Sequence, residues 1–142
     1  MAVILLVEDD EQVRVLAESF LQTAGHSTLS AGSSDQALAL LAADDPIDLL
    51  FVDVSLQGDA EAGLSLARKA VEIRPDLKVL YTSAQGQTDG MTALFVPNSA
   101  YLPKPYTVEQ LGTMLSMKFD LRSSSPPNGV NIQAIENLQA GG

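Results

Sequence analysis

Asp48-Leu49-Leu50-Phe51-Val52-Asp53 sets four large apolar residues between two aspartates without a polar break. A strand with one wet face alternates apolar with polar residues. An unbroken run is what a strand covered on both faces requires, as in a parallel sheet flanked by helices. Working outward, Val3-Ile4-Leu5-Leu6-Val7 has the same shape and runs into Glu8-Asp9-Asp10-Glu11. Val79-Leu80-Tyr81-Thr82-Ser83 repeats it, and shorter strands are expected at Ser27 to Ala31 and at Ala100 to Leu102.

Helical periodicity fills the gaps. Val13, Leu16, Ala17, Phe20, Leu21 and Ala24 recur at three- and four-residue steps and predict one apolar stripe, with Asp10 as its cap and Gly25 at its end. Ala37, Leu38 and Leu41 mark a second helix opened by Ser33 or Ser34. Leu64, Ala67 and Val71 mark a third that stops before Pro75. Thr107-Val108-Glu109-Gln110 reads as a capping box ahead of Leu111, Met114 and Leu115. Between Gln85 and Ser99, two glycines and Pro97 leave room for a short or irregular fourth helix around Thr92 to Leu94. Strand and helix alternate throughout, which predicts an α/β fold with a doubly wound parallel sheet, right-handed crossovers and helices on both faces. In such a sheet the ligand crevice lies beyond the carboxyl ends of the strands.

Composition bounds the function. The chain has 142 residues, 46% of them hydrophobic, which suits one packed domain. It has no cysteine, so disulfides and cysteine-held metals are excluded. No run approaches the ~18 apolar residues of a membrane span, and a soluble cytoplasmic protein without a membrane partner is expected. The net charge of −10, with 18 acidic and 8 basic residues and no Lys/Arg cluster, argues against a nucleic-acid partner. After about Asp120, Ser123-Ser124-Ser125-Pro126-Pro127-Asn128-Gly129 reads as linker. Residues 1–119 are expected to form the domain and 120–142 a flexible linker and tail, in which Val130, Ile132, Ile135 and Leu138 could line one side of a short helix.

The predicted topology brings distant residues to one sheet edge. Glu8 and Asp9 end the first strand, Asp53 the third and Ser83 the fourth, while Lys104 follows the fifth. Taken singly, each is ordinary: acids after strands usually cap helices, and a lysine there is usually solvated. Together they are not. Carboxylates sharing a crevice repel by about 4 kcal/mol per close pair at an effective dielectric near 20. A cation relieves that repulsion, and oxygen-only donors select a hard one such as Mg²⁺. A nearby ammonium and hydroxyl are what an incoming phosphoryl group needs.

The runs ending in Glu8-Asp9-Asp10-Glu11 and in Asp53, with Thr82-Ser83-Ala84 and Tyr101-Leu102-Pro103-Lys104-Pro105-Tyr106, resemble the receiver domains of two-component response regulators over residues 2–118. The resemblance implies a five-stranded, flavodoxin-like sheet of order 2-1-3-4-5. It implies Asp53 as phosphoacceptor, and Mg²⁺ held by Glu8, Asp9, Asp53 and the backbone carbonyl of Ser55. Lys104 and Ser83 would contact phosphoryl oxygens, with a cis bond from Lys104 to Pro105. Tyr101 would be an aromatic switch turning toward the space that Ser83 vacates. The partner would be a sensor histidine kinase or a histidine phosphotransfer protein. The chain would be a stand-alone regulator, catalysing only its own phosphotransfer and dephosphorylation, rather than an enzyme.

The chain departs from the family pattern after Asp53. Gln57 stands where a proline is usual, and the glycine that should follow, Gly63, comes two residues late, so residues 57–62 are expected to be longer and more flexible than typical. A degenerate receiver acting as a phosphorylation-independent interaction module is the alternative this leaves. Two other classes fit less well. A haloacid-dehalogenase-type hydrolase needs a second aspartate where Ser55 stands, and Glu8-Asp9-Asp10-Glu11 would repel the phosphate of a flavin cofactor.

Overall fold

The Leu49 to Val52 run is fully buried, as its unbroken apolar sequence requires. In the computed structural model, which describes residues 2–121, it lies at the centre of a five-stranded parallel sheet. The elements alternate without exception: β1 (Val3–Val7), α1 (Glu11–Thr23), β2 (Ser27–Ala31), α2 (Ser34–Ala42), β3 (Leu49–Asp53), α3 (Ala62–Ile73), β4 (Lys78–Ser83), α4 (Asp89–Thr92), β5 (Ser99–Pro103) and α5 (Val108–Phe119). The strand order is β2-β1-β3-β4-β5. Of the expected linker and tail, 120–142, residues 122–142 lie outside the described residues.

Alternation along each strand divides the core in two. Leu5, Leu50, Val52, Val79 and Tyr81 pack toward Leu41, Leu64 and Ala67 of α2 and α3. Ile4, Leu6, Leu49, Phe51, Leu80 and Leu102 pack toward Leu21, Leu111 and Leu115 of α1 and α5. Burying a Leu- or Phe-sized side chain contributes roughly 1.5–3 kcal/mol, so these two faces hold the sheet between its helix layers.

The helix ends follow the sequence signals. Asp10 accepts from the Val13 N–H, Ser33 from the Gln36 N–H, and Thr107 and Gln110 form the reciprocal capping box. Two expectations change. Helix α4 is short, as expected, a single turn over Asp89–Thr92 capped by Thr88, but it begins ahead of the expected Thr92 to Leu94. Gly90 disfavours the helix and Pro97 follows closely, leaving too few residues to propagate it. The α1 stripe is also narrower than its periodicity suggests: Ala17 and Leu21 are buried, but Leu16 is exposed.

Candidate functional site

The strand tips meet where the crevice was expected. Glu8 follows β1, Asp53 ends β3, and Lys104 directly follows β5 and is joined to Pro105 by a cis bond. Lys104 Nζ donates to Glu8 Oε1 at 2.8 Å and to Asp53 Oδ2 at 2.5 Å, bringing residues up to 96 apart in sequence onto one ammonium. Glu8 and Asp53 are only 5% and 7% exposed, so the ammonium serves two nearly buried carboxylates. Main-chain donors engage the other oxygens. The Asp10 N–H reaches Glu8 Oε2 at 3.2 Å, and the Ser55 N–H reaches Asp53 Oδ1 at 3.0 Å.

Electrostatics follow from burial. Desolvation raises the Glu8 carboxyl above its ordinary value, although Lys104 and the Asp10 N–H pull the other way. Burial alone would lower Lys104, but its bonds to Asp53 and Glu8 outweigh that and hold the ammonium above its usual range. Tyr106, edge-on to Phe20 and tilted against Phe51, is pushed up to about 12 by burial.

Asp9 behaves differently. It is exposed, and its Oδ2 accepts from the Gln57 N–H at 2.8 Å. Among the described residues no three His, Cys, Asp or Glu side chains stand together as a metal-holding group. The expected convergence of three carboxylates is therefore met by two, with the third held at the rim by the loop after β3. The donor set still suits Mg²⁺ by its chemistry: all oxygen, with two carboxylates already sharing one cationic centre.

That loop is also more ordered by hydrogen bonds than the sequence suggests. Leu56 and Asp59 pair as an antiparallel bridge, exchanging N–H···O bonds of 3.1 and 2.9 Å around Gln57 and Gly58. Both central residues have positive φ, 53° and 81°, as a two-residue hairpin turn of the I′ kind requires. The extra length is thus taken up as a closed turn. Gly63 then fills the expected glycine role: its N–H bonds to the Val54 carbonyl at 2.7 Å, and a Cβ there would lie 2.0 Å from the Asp53 carbonyl oxygen.

Ser83 ends β4, the strand paired with the one that ends in Asp53, and Tyr101 on β5 packs against the core cluster that holds Tyr81. Ser83 Oγ and the Tyr101 hydroxyl are 2.7 Å apart, so Tyr101 already reaches Ser83 rather than waiting for it to move. Phe95 lies between Tyr81, 4.1 Å away and nearly parallel, and Tyr101, at 6.2 Å. The buried Tyr81 hydroxyl accepts from the Val96 N–H at 3.1 Å. This aromatic row was not singled out in the sequence, where Tyr81 reads as one more strand residue. Thr82 pairs in register with Asp53, and its hydroxyl is buried without a partner among the described residues. His26 lies away from the crevice, accepting the Ala2 N–H on Nδ1.

The chain is similar to known proteins in sequence and in fold. A model of the response regulator receiver domain matches residues 4–116. The chain is 32% identical over 108 residues to the transcriptional regulatory protein CpxR of Klebsiella pneumoniae, covering 76% of this chain and 45% of that one. It is 31% identical over 138 residues to the DNA-binding transcriptional regulator NtrC of Azospirillum brasilense, covering 95% and 27%. The chain thus spans about a quarter to a half of the length of these relatives. A response regulator receiver protein from Sinorhizobium medicae superposes with a TM-score of 0.73 at 30% identity, covering 86% of this chain and 97% of that one. No helix of the described residues is long and apolar enough to cross a membrane. With the sheet order, the acid-tipped first and third strands and the cis-bonded lysine in place, the chain belongs to the response regulator receiver domain family.

Proposed function

We propose that this chain accepts a phosphoryl group on Asp53 and that the resulting aspartyl phosphate alters a protein-interaction surface reached through Ser83 and Tyr101. The observation that carries the reading is the Lys104 ammonium bridging Glu8 and Asp53 at the carboxyl edge of the sheet. A carboxylate oxygen of Asp53 attacks the phosphorus of a phosphohistidine or a small acyl phosphate. The new O–P bond replaces the P–N or P–O bond, and the leaving imidazole or carboxylate keeps the electron pair. The donor is a sensor histidine kinase or a histidine phosphotransfer protein. The chain acts as a regulator that turns over only its own phosphoryl group, in the cytoplasm.

Glu8, Asp9, Asp53 and the Ser55 carbonyl would hold Mg²⁺, which supplies charge neutralisation as the phosphoryl group arrives. Lys104 leaves the Glu8 side of its bridge to pair with a phosphoryl oxygen, offsetting part of the roughly −2 charge added. A second phosphoryl oxygen competes with Tyr101 for the Ser83 hydroxyl. Tyr101 rests against Phe95, so breaking or keeping the Ser83 bond biases the segment ahead of β5. Proteins rather than nucleic acid are the partners of this surface, since a net charge of −10 opposes a phosphate backbone.

The engagement of Asp9 by the loop favours a second reading, a degenerate receiver that binds partners without phosphorylation. One experiment separates the two: intact-mass spectrometry after incubation with acetyl phosphate and Mg²⁺. One phosphoryl addition is expected, lost in Asp53→Asn and lost without the metal. An unchanged mass with acetyl phosphate and with a phosphohistidine donor leaves the degenerate reading standing.

A further inference from the structure

All three acids that a metal would draw on are already engaged, but not in equivalent ways. Glu8 and Asp53 share a lysine whose side chain can follow an incoming phosphoryl group. Asp9 is held by main chain, the Gln57 N–H at 2.8 Å, and that N–H is fixed by a turn. Both turn residues have positive φ, the flanking Leu56 and Asp59 exchange two hydrogen bonds, and Leu56 is 1% exposed, anchoring the turn in the core. Asp59 Oδ1 also accepts the Glu61 N–H at 3.0 Å, tying the turn to the start of α3. A carboxylate bonded to an N–H in this way gives up a charge-assisted hydrogen bond when it turns elsewhere.

We infer that the Gln57 N–H is a positioning group for the metal site: the turn keeps the Asp9 carboxylate at the rim, and Mg²⁺ binding must open that bond. The inference rests on the reading of Glu8, Asp9 and Asp53 as the metal-holding acids. It assigns a role to the Gln57-Gly58 turn and to the Leu56 and Asp59 residues that close it. They set the metal affinity of the apo site and couple metal binding to the shape of the loop.

The glycine geometry supplies a clean perturbation. A Cβ on Gly58 meets nothing within 4 Å, so a side chain there acts through backbone strain at φ +81° and not through collision. Gly58→Val weakens the turn. Gln57→Asn strengthens it, because Asn-Gly is the pair that such turns favour most. In calorimetric titration of the full chain with MgCl₂, Gly58→Val is expected to bind roughly fivefold more tightly and Gln57→Asn roughly twofold more weakly, each less than the full worth of one hydrogen bond to a charged group because the turn is weakened or strengthened and not removed. In ¹⁵N NMR of the unaltered chain, the Gln57 amide is expected to leave its hydrogen-bonded position as the Ser55 amide shifts with added Mg²⁺. A purely structural turn would change thermal stability in the variants without moving affinity in opposite directions. Equal affinities in both variants, or a Gln57 amide that stays put while Ser55 shifts, would overturn the inference and leave the proposed function intact. No shift at Ser55 at saturating Mg²⁺ would remove the metal site, and the latch with it.

Discussion

Lys104 shows how one residue changes meaning in context. In the sequence it is a charge between two prolines; in the fold it is the counter-ion of two nearly buried carboxylates. Its raised pKa means that its contribution to stability is fully present at neutral pH and is lost only as pH rises above the usual lysine range. His26 carries the opposite sign. Burial lowers its pKa, the chain's amino terminus adds to that, and Asp48 partly opposes it. Its Nδ1 must stay unprotonated to accept the Ala2 N–H. The unfolded chain therefore takes up a proton first, so stability is present above about pH 6.5 and falls as pH drops through the lowered folded value. Urea unfolding between about pH 7 and 5 should show this loss, and His26→Gln should flatten it. An unchanged slope in the variant would show that His26 is not the group responsible.

At the scale of elements, the parts that hydrophobic pattern decides were the legible ones. β1 and β3 are continuous apolar runs, and the structure places both with the bounds their residues suggest. Caps at Asp10, Ser33 and Thr107 were legible because a side-chain acceptor three residues before a helical N–H is a local signal. Helix α4 was legible as short, from its two glycines and Pro97, but was placed around Thr92 to Leu94 when it begins at Asp89. Phe95 is taken up by stacking on Tyr81, a contact no local pattern announces. The turn at Gln57-Gly58 was legible as extra length but not as a closed turn, since Gln is a poor sign of positive φ. Gly63 is the element-scale hinge of the site, packing the start of α3 onto the end of β3. Gly63→Ala would force a Cβ against the Asp53 carbonyl, so about 3 kcal/mol of destabilisation is expected. Phosphoryl acceptance should fall with it, as the backbone of Asp53 is displaced. Near-unaltered stability by urea unfolding would mean that this contact is readily relieved.

At the scale of the molecule, the doubly wound sheet gathers chemistry that the chain scatters. Glu8, Asp53 and Lys104 come together only because β1, β3 and β5 end at one edge. That gathering could be reasoned from the apolar runs and the strand–helix alternation, which make the sheet parallel and bring the strands' carboxyl ends to one edge. The position of Asp9 could not, because it depends on a main-chain donor 48 residues away whose placement is set by backbone angles. The central claim is that these strand tips form one phosphoryl-accepting centre linked to Ser83 and Tyr101. It is tested most directly by ¹⁵N NMR of the full chain with Mg²⁺ and beryllofluoride, a mimic of the phosphoryl group. The account predicts saturable shifts with one-to-one stoichiometry at Asp53, Ser83 and Lys104, extending to Phe95 and Tyr101 and absent in Asp53→Asn. Shifts confined to other surfaces, or identical in Asp53→Asn, would contradict it.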